Sequence, residues 1–177
     1  GANAGIGSLA VDPAGDVVLG GMTAFQYDPY VGPAALVTKR AGADGRELWR
    51  RTFTSDTVGI ELVRAVAVDR RGNVTAAGRL VTEDVGDACL VVRLAGGSGK
   101  TRWERRLQAT GWRCWDVALD RLGNFAVSGA THPSGSDLAG ATFVVARGRG
   151  WSGQGPRPVR AFRERRTIPP PRRAQPP

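Results

Sequence analysis

Short apolar runs recur along the chain, each stopped by a turn containing Gly or Asp. Their apolar and polar positions alternate with the period of two that marks a strand. One segment reads Ser8-Leu-Ala-Val-Asp-Pro-Ala-Gly-Asp-Val-Val-Leu-Gly-Gly21. It returns as Ala65-Val-Ala-Val-Asp-Arg-Arg-Gly-Asn-Val-Thr-Ala-Ala-Gly78, and again as Asp116-Val-Ala-Leu-Asp-Arg-Leu-Gly-Asn-Phe-Ala-Val-Ser-Gly129. The anchor aspartates Asp12, Asp69 and Asp120 lie 57 and 51 residues apart. A second segment repeats in phase: Ala35-Leu-Val-Thr-Lys-Arg through Phe53 matches Cys89-Leu-Val-Val-Arg-Leu through Leu107. Gly45 and Gly99 are 54 residues apart, as are Trp49 and Trp103. Two anchors sharing one period identify an internal repeat.

Each unit reads as four strands. In the second unit the first strand runs over 63–69. Simple alternation puts Val63, Ala65, Ala67 and Asp69 on one face and Arg64, Val66 and Val68 on the other, so the strand is apolar on both sides. Asp69-Arg-Arg-Gly-Asn73 is a hairpin turn in which Asp accepts backbone N–H groups and Gly supplies positive φ. Further strands follow over 73–80, 87–94 and 100–107, the last with the alternation of a half-exposed outer strand. No window sustains helical spacing, and glycines interrupt the chain too often for helices. Four short strands per period predict an all-β fold, a partial β-propeller of about three antiparallel blades. These cover 7–53, 63–107 and an incomplete 114–147, within a folded region of 1–147. A linear β-solenoid is the competing architecture, but its coils are usually shorter. The repeat positions expected to be structural are Asp12, Gly15, Gly45, Trp49, Asp69, Gly72, Gly99, Trp103, Asp120 and Gly123.

Ala43-Asp-Gly-Arg-Glu-Leu-Trp49 and Gly97-Ser-Gly-Lys-Thr-Arg-Trp103 resemble the blade-ending motif of PQQ-like propeller repeats. The Ala-Val-Asp-x-x-Gly-Asn-Val pattern is similar to the bacterial SBBP-type repeat. The resemblance covers about residues 8–147. It implies that the Trp docks between neighbouring blades, and it implies a periplasmic or extracellular setting. It leaves two functional classes open: quinoprotein dehydrogenases holding pyrroloquinoline quinone and a metal, and cofactor-free blades that present a docking surface.

Charge changes the picture only at the C-terminus. The chain carries a net +9, but Arg147 to Pro177 holds nine Arg and one Glu, which is +8, leaving +1 for residues 1–146. Seven of the 11 prolines lie in the same tail, and strand alternation stops there, so 148–177 is expected to be disordered. An Arg/Pro arm for nucleic acid, a linker and an out-of-frame translation compete for it, the last being preferred because Arg, Pro, Gly and Ala follow from misread GC-rich codons. Nothing approaches a transmembrane helix, and no signal peptide is visible behind Gly1.

Candidate chemistry is sparse. Cys89 and Cys114 lack CxxC spacing and are expected to be buried free thiols, with a disulfide as the alternative. The Asp-x-x-Gly-Asp/Asn turns offer two side chains each, too few for calcium. His132 shares the segment Thr131–Asp137 with Ser and Asp, a poor basis for a triad. Glu83, Asp84 and Asp87 read as a solvated loop, and Gly96-Gly-Ser-Gly-Lys100 lacks phosphate-loop spacing. With no catalytic, cofactor or metal residues identified, the expected function is a non-enzymatic repeat module for protein or ligand docking, a fragment of a larger propeller. A quinoprotein fragment is the first alternative and nucleic-acid binding through the tail the second.

Overall fold

The computed structural model describes residues 5–23, 26–27, 30–55, 59–82, 86–107, 113–130 and 143–144. They form only strands and turns. The first sheet comprises β1 (Gly5–Val11) and β2 (Val17–Met22), then β5 (Ala35–Arg40) and β6 (Glu47–Phe53). Between its halves lies a small hairpin of β3 (Gln26–Tyr27) and β4 (Tyr30–Val31). The second sheet is β7 (Leu62–Val68), β8 (Val74–Thr82), β9 (Gly86–Leu94) and β10 (Thr101–Leu107). The third is β11 (Arg113–Leu119), β12 (Phe125–Ala130) and β13 (Phe143–Val144). Every pairing is antiparallel between strands adjacent in the meander. The sheets do not close into a ring among the described residues. The end of the incomplete third unit after Val144, the His132 segment and the tail lie outside the described residues.

The repeated sequence builds repeated local geometry. In all three units the turn aspartate accepts two backbone N–H groups on one carboxylate oxygen: Ala14 and Asp16 on Asp12, Arg71 and Asn73 on Asp69, Leu122 and Asn124 on Asp120. The reversal is completed by Gly15, Gly72 and Gly123 at φ of 84°, 77° and 79°, where a Cβ would be strained. A β-bulge then interrupts each first strand at the same place, between Ile6 and Ser8, Val63 and Ala65, and Cys114 and Asp116. There the bulged backbone crosses so close over the second strand that a Cβ on Gly21, Gly78 or Gly129 would collide with a carbonyl oxygen of Gly5, Leu62 or Arg113.

The bulge corrects the face assignment made by alternation. Val63 does not share a face with Ala65. It joins Val66 and Val68 against the first sheet, while Ala65 and Ala67 pack toward the third. An extra residue in the strand inverts the side on which the preceding side chain emerges.

Two apolar cores result, one on each side of the second sheet. Val18, Val37, Trp49 and Phe53 meet Val63, Val74, Leu80, Leu90 and Val92 in the first, and Ala77, Val91 and Leu107 meet Val117, Phe125 and Val127 in the second. Small residues admit close approach: Gly20 lies directly beneath Val63 and Val66.

Cys89 and Cys114 are also corrected. They form a disulfide joining β9 to β11, with Cα atoms 5.1 Å apart. Both are buried in the second core, at 0% and 1% exposure, so the bond staples the second sheet to the third. Burial alone is equally compatible with free thiols; what decides is the register between two sheets.

Candidate docking site at the turn-bearing ends of the sheets

The first turn of each unit and the third turns of the first two units emerge at one end of the stack, and the polar chemistry gathers there. In the first sheet Lys39 of β5 is buried and reaches both carboxylates of the facing turn, Asp12 at 2.6 Å and Asp16 at 3.0 Å. Burial alone would lower the Lys39 pKa, but the bonds to Asp12 and Asp16 outweigh it and hold the pKa above its ordinary value. Burial likewise opposes ionisation of Asp12, yet Lys39 and the N–H groups of Asp16 and Ala14 pull its pKa below the usual carboxylate range. Asp16 is lowered chiefly by its bond to Lys39. A lysine held protonated in this way is a structural cation, unsuited to act as a Schiff-base nucleophile.

The second sheet repeats the device with Arg93 of β9, which pairs with Asp69 and also donates to Thr75. Asp69 is again driven below its ordinary value: burial opposes this, and Asn73, the N–H groups of Asn73 and Arg71, and Arg93 outweigh it. Burial pushes the Arg93 guanidinium down, Asp69 acts against the shift, and the neighbouring Arg102 adds to it.

The tryptophans of the fourth strands sit at the sheet interfaces. Trp49 is 7% exposed, and its indole N–H donates to the Gly96 carbonyl of the next sheet at 2.8 Å. Its ring lies against Gly99, where a Cβ would come within 2.7 Å of it. Arg51 adds bonds to the carbonyls of Gly99 at 2.9 Å and Ser98 at 3.2 Å. Trp103 instead packs on Phe125 of the third sheet, with ring centroids 5.2 Å apart. Gly45, like Gly99, adopts positive φ in the tight turn before its Trp strand.

Between the second and third sheets this end opens into a groove of about 830 Å³. Among the described residues Arg70, Arg71, Arg93, Lys100, Arg102 and Arg121 line it, with Asp69 the one lining carboxylate and Trp103 and Phe125 supplying aromatic surface. Six cations against one carboxylate give these lining residues a summed formal charge of +5, in a region whose sequence is nearly neutral overall. Such a cleft concentrates anions.

Two charged groups escaped the sequence analysis. Asp87 was expected in a solvated loop; it lies in β9 at 9% exposure and pairs with Arg79 of its own sheet and Arg113 of the next. Glu83 and Asp84 lie outside the described residues. Lys39 went unremarked, although it recurs as Arg93 at the same 54-residue period as the tryptophans, and a basic residue repeating in phase with an Asp turn is a readable signal. Among the described residues no group of three or more His, Cys, Asp and Glu side chains is placed to hold a metal ion, and no helix is long and apolar enough to cross a membrane. No protein-family model matches the chain, and no curated protein matches it.

Proposed function

We propose that the chain is a run of β-propeller blades, of the PQQ-like and SBBP-type repeat it resembles, serving as a non-enzymatic docking module for an acidic protein segment. Support for the blade reading comes from three sheets of one repeat stacked in chain order, with the first strands β1, β7 and β11 adjacent to one another. Neighbouring blades meet in this way around a propeller axis. The observation that carries the docking reading is the +5 groove between the second and third sheets. Its confined shape and aromatic surface suit a short acidic peptide better than a nucleic-acid backbone, which would call on positive charge spread over a long face.

The quinoprotein alternative draws on no comparable observation, since Asp12, Asp16, Asp69 and Asp87 are each committed to Lys or Arg. The Cys89–Cys114 bond favours an oxidising compartment, periplasmic or extracellular.

The test is fluorescence anisotropy with a labelled oligoglutamate peptide, titrated with the wild type and with the Arg102→Glu/Arg121→Glu double variant. Binding should weaken as salt rises, and the double variant should lose about tenfold or more in affinity, equivalent to about 1.4 kcal/mol. Equal affinity for wild type and variant would remove the groove from the interaction. Preferential competition by single-stranded RNA over the peptide would transfer the site to the nucleic-acid class.

A further inference from the structure

The three first strands carry the same apolar row at equivalent places, fixed by the common bulge: Ile6, Leu9 and Val11 in β1, Val63, Val66 and Val68 in β7, Cys114, Val117 and Leu119 in β11. In the second sheet the row is covered by the first sheet, leaving Val63 at 0% and Val66 at 8% exposure. In the third it is covered by the second, leaving Cys114 at 1% and Val117 at 6%. In the first sheet the same row stands at 51%, 65% and 61%. The molecule thus contains its own control. The row is covered in the second and third sheets, each by the sheet before it in the chain, and exposed in the first.

What covers it is equally defined. Branched side chains of one first strand seat on small residues of the preceding blade: Val63 and Val66 on Gly20, and Cys114 and Val117 in the cluster with Ala77. Gly20 and Ala77 pair across the ladder with Ser8 and Ala65. The matching pair in the third sheet is Ser128 with Asp116. Beside it Ala118 is exposed, although its counterparts Ala10 and Ala67 are packed into the two cores. Among the described residues, one end of the stack therefore shows branched side chains without a seat, and the other shows Ser128 and Ala118 at seat positions, with Asp116 where the earlier sheets have Ser8 and Ala65.

We propose that the two ends belong together in solution: the open face of the first sheet takes the open face of the third sheet of a second copy, head to tail. Asp116 then occupies the place of Ser8, whose hydroxyl accepts the Val66 N–H across the interface between the first two sheets. Leu9 stands where Val66 does. A heterologous contact of this kind propagates or closes a ring according to the rotation per chain. The inference rests on the blade reading above but uses none of the groove residues, so the peptide titration and the assembly measurement fail independently.

The experiment is sedimentation velocity on the full chain, with Leu9→Lys blocking one end and Ala118→Arg the other. Both positions are exposed, so each variant should fold, with near-UV circular dichroism as the check. The wild type should form concentration-dependent species at multiples of 18.7 kDa. Each variant alone has one working end and no complement, and should sediment as a single chain. Mixed, the two variants should give a 1:1 pair that stops at two chains, because the remaining ends are both blocked. A monomeric wild type would overturn the proposal, as would a Leu9→Lys variant that still assembles. An Ala118→Arg variant that dimerises alone would show the first-sheet face pairing with itself, and would overturn the head-to-tail arrangement.

Discussion

Breaking the Cys89–Cys114 bond should cost this protein a definite amount, and in a definite place. The bond closes a loop of 25 residues between two sheets. Loop-closure entropy for that length amounts to about 3.5 kcal/mol at 25 °C, subtracted from the stability of the oxidised chain on reduction. With a urea dependence of about 1–3 kcal/mol per molar, the unfolding midpoint should fall by roughly 1–3 M. The assay is urea unfolding followed by tryptophan fluorescence, comparing oxidised protein, reduced protein and a Cys89→Ala/Cys114→Ala double variant. Hydrogen exchange supplies the location. The bond lies in the core between the second and third sheets and touches nothing in the first. Protection should therefore drop in β11 and β12 while β5 and β6 keep theirs. An unchanged midpoint, or equal loss of protection in the first and third sheets, would refute the view that the bond holds the third sheet to the second.

Two further outcomes follow from the packing and the ion pairs. Gly20→Ala places a Cβ 2.7 Å from methyl groups of both Val63 and Val66, so it should destabilise by about 1–3 kcal/mol through overpacking, read as a lowered urea midpoint. Acid should unfold the chain through the turn carboxylates: Asp12, Asp16 and Asp69 all have folded pKa values below ordinary. Their stabilising contribution is present above about pH 4 and is lost as pH falls through the depressed values. Lys39, shifted upward, contributes until pH rises through its raised value and so plays no part in the acid limb. A midpoint that stays level from neutral pH down through the acid range would contradict this account.

The all-β antiparallel architecture was legible because its signals are local. An Asp that captures two N–H groups and a Gly at positive φ need only neighbouring residues, and strand alternation needs only the run itself. The side on which Val63 emerges was not legible, because one bulge residue inverts it and nothing in Leu-Val-Arg-Ala-Val announces a bulge. The disulfide and the Asp87 ion pairs were missed for a related reason. Cys114 and Arg113 stand in a different unit from Cys89 and Asp87, and their meeting depends on the offset between two sheets. Sequence periodicity fixes equivalence between units and leaves that offset undetermined. The groove escaped for the same cause: Arg70, Arg71, Arg102 and Arg121 come from different turns and strands, and each alone reads as a solvated arginine.

The repeat also separates residues that serve the fold from residues free to serve a partner. Asp12, Asp69 and Asp120 hold the same turn, Gly21, Gly78 and Gly129 pass beneath the same bulge, and Lys39 and Arg93 neutralise the same carboxylate. Other positions differ between the units. Arg70 and Arg71 stand where the first unit has Pro13 and Ala14, and Arg102, 54 residues after Leu48, stands where that unit is apolar. These divergent positions are not scattered over the surface: they converge with Arg121 on one groove between the second and third sheets. Side chains that the units do not share, gathered at one place with one sign of charge, are those on which a partner's chemistry can act. For that reason the groove, rather than the repeated aspartates or tryptophans, is where loss of function without loss of folding should be sought.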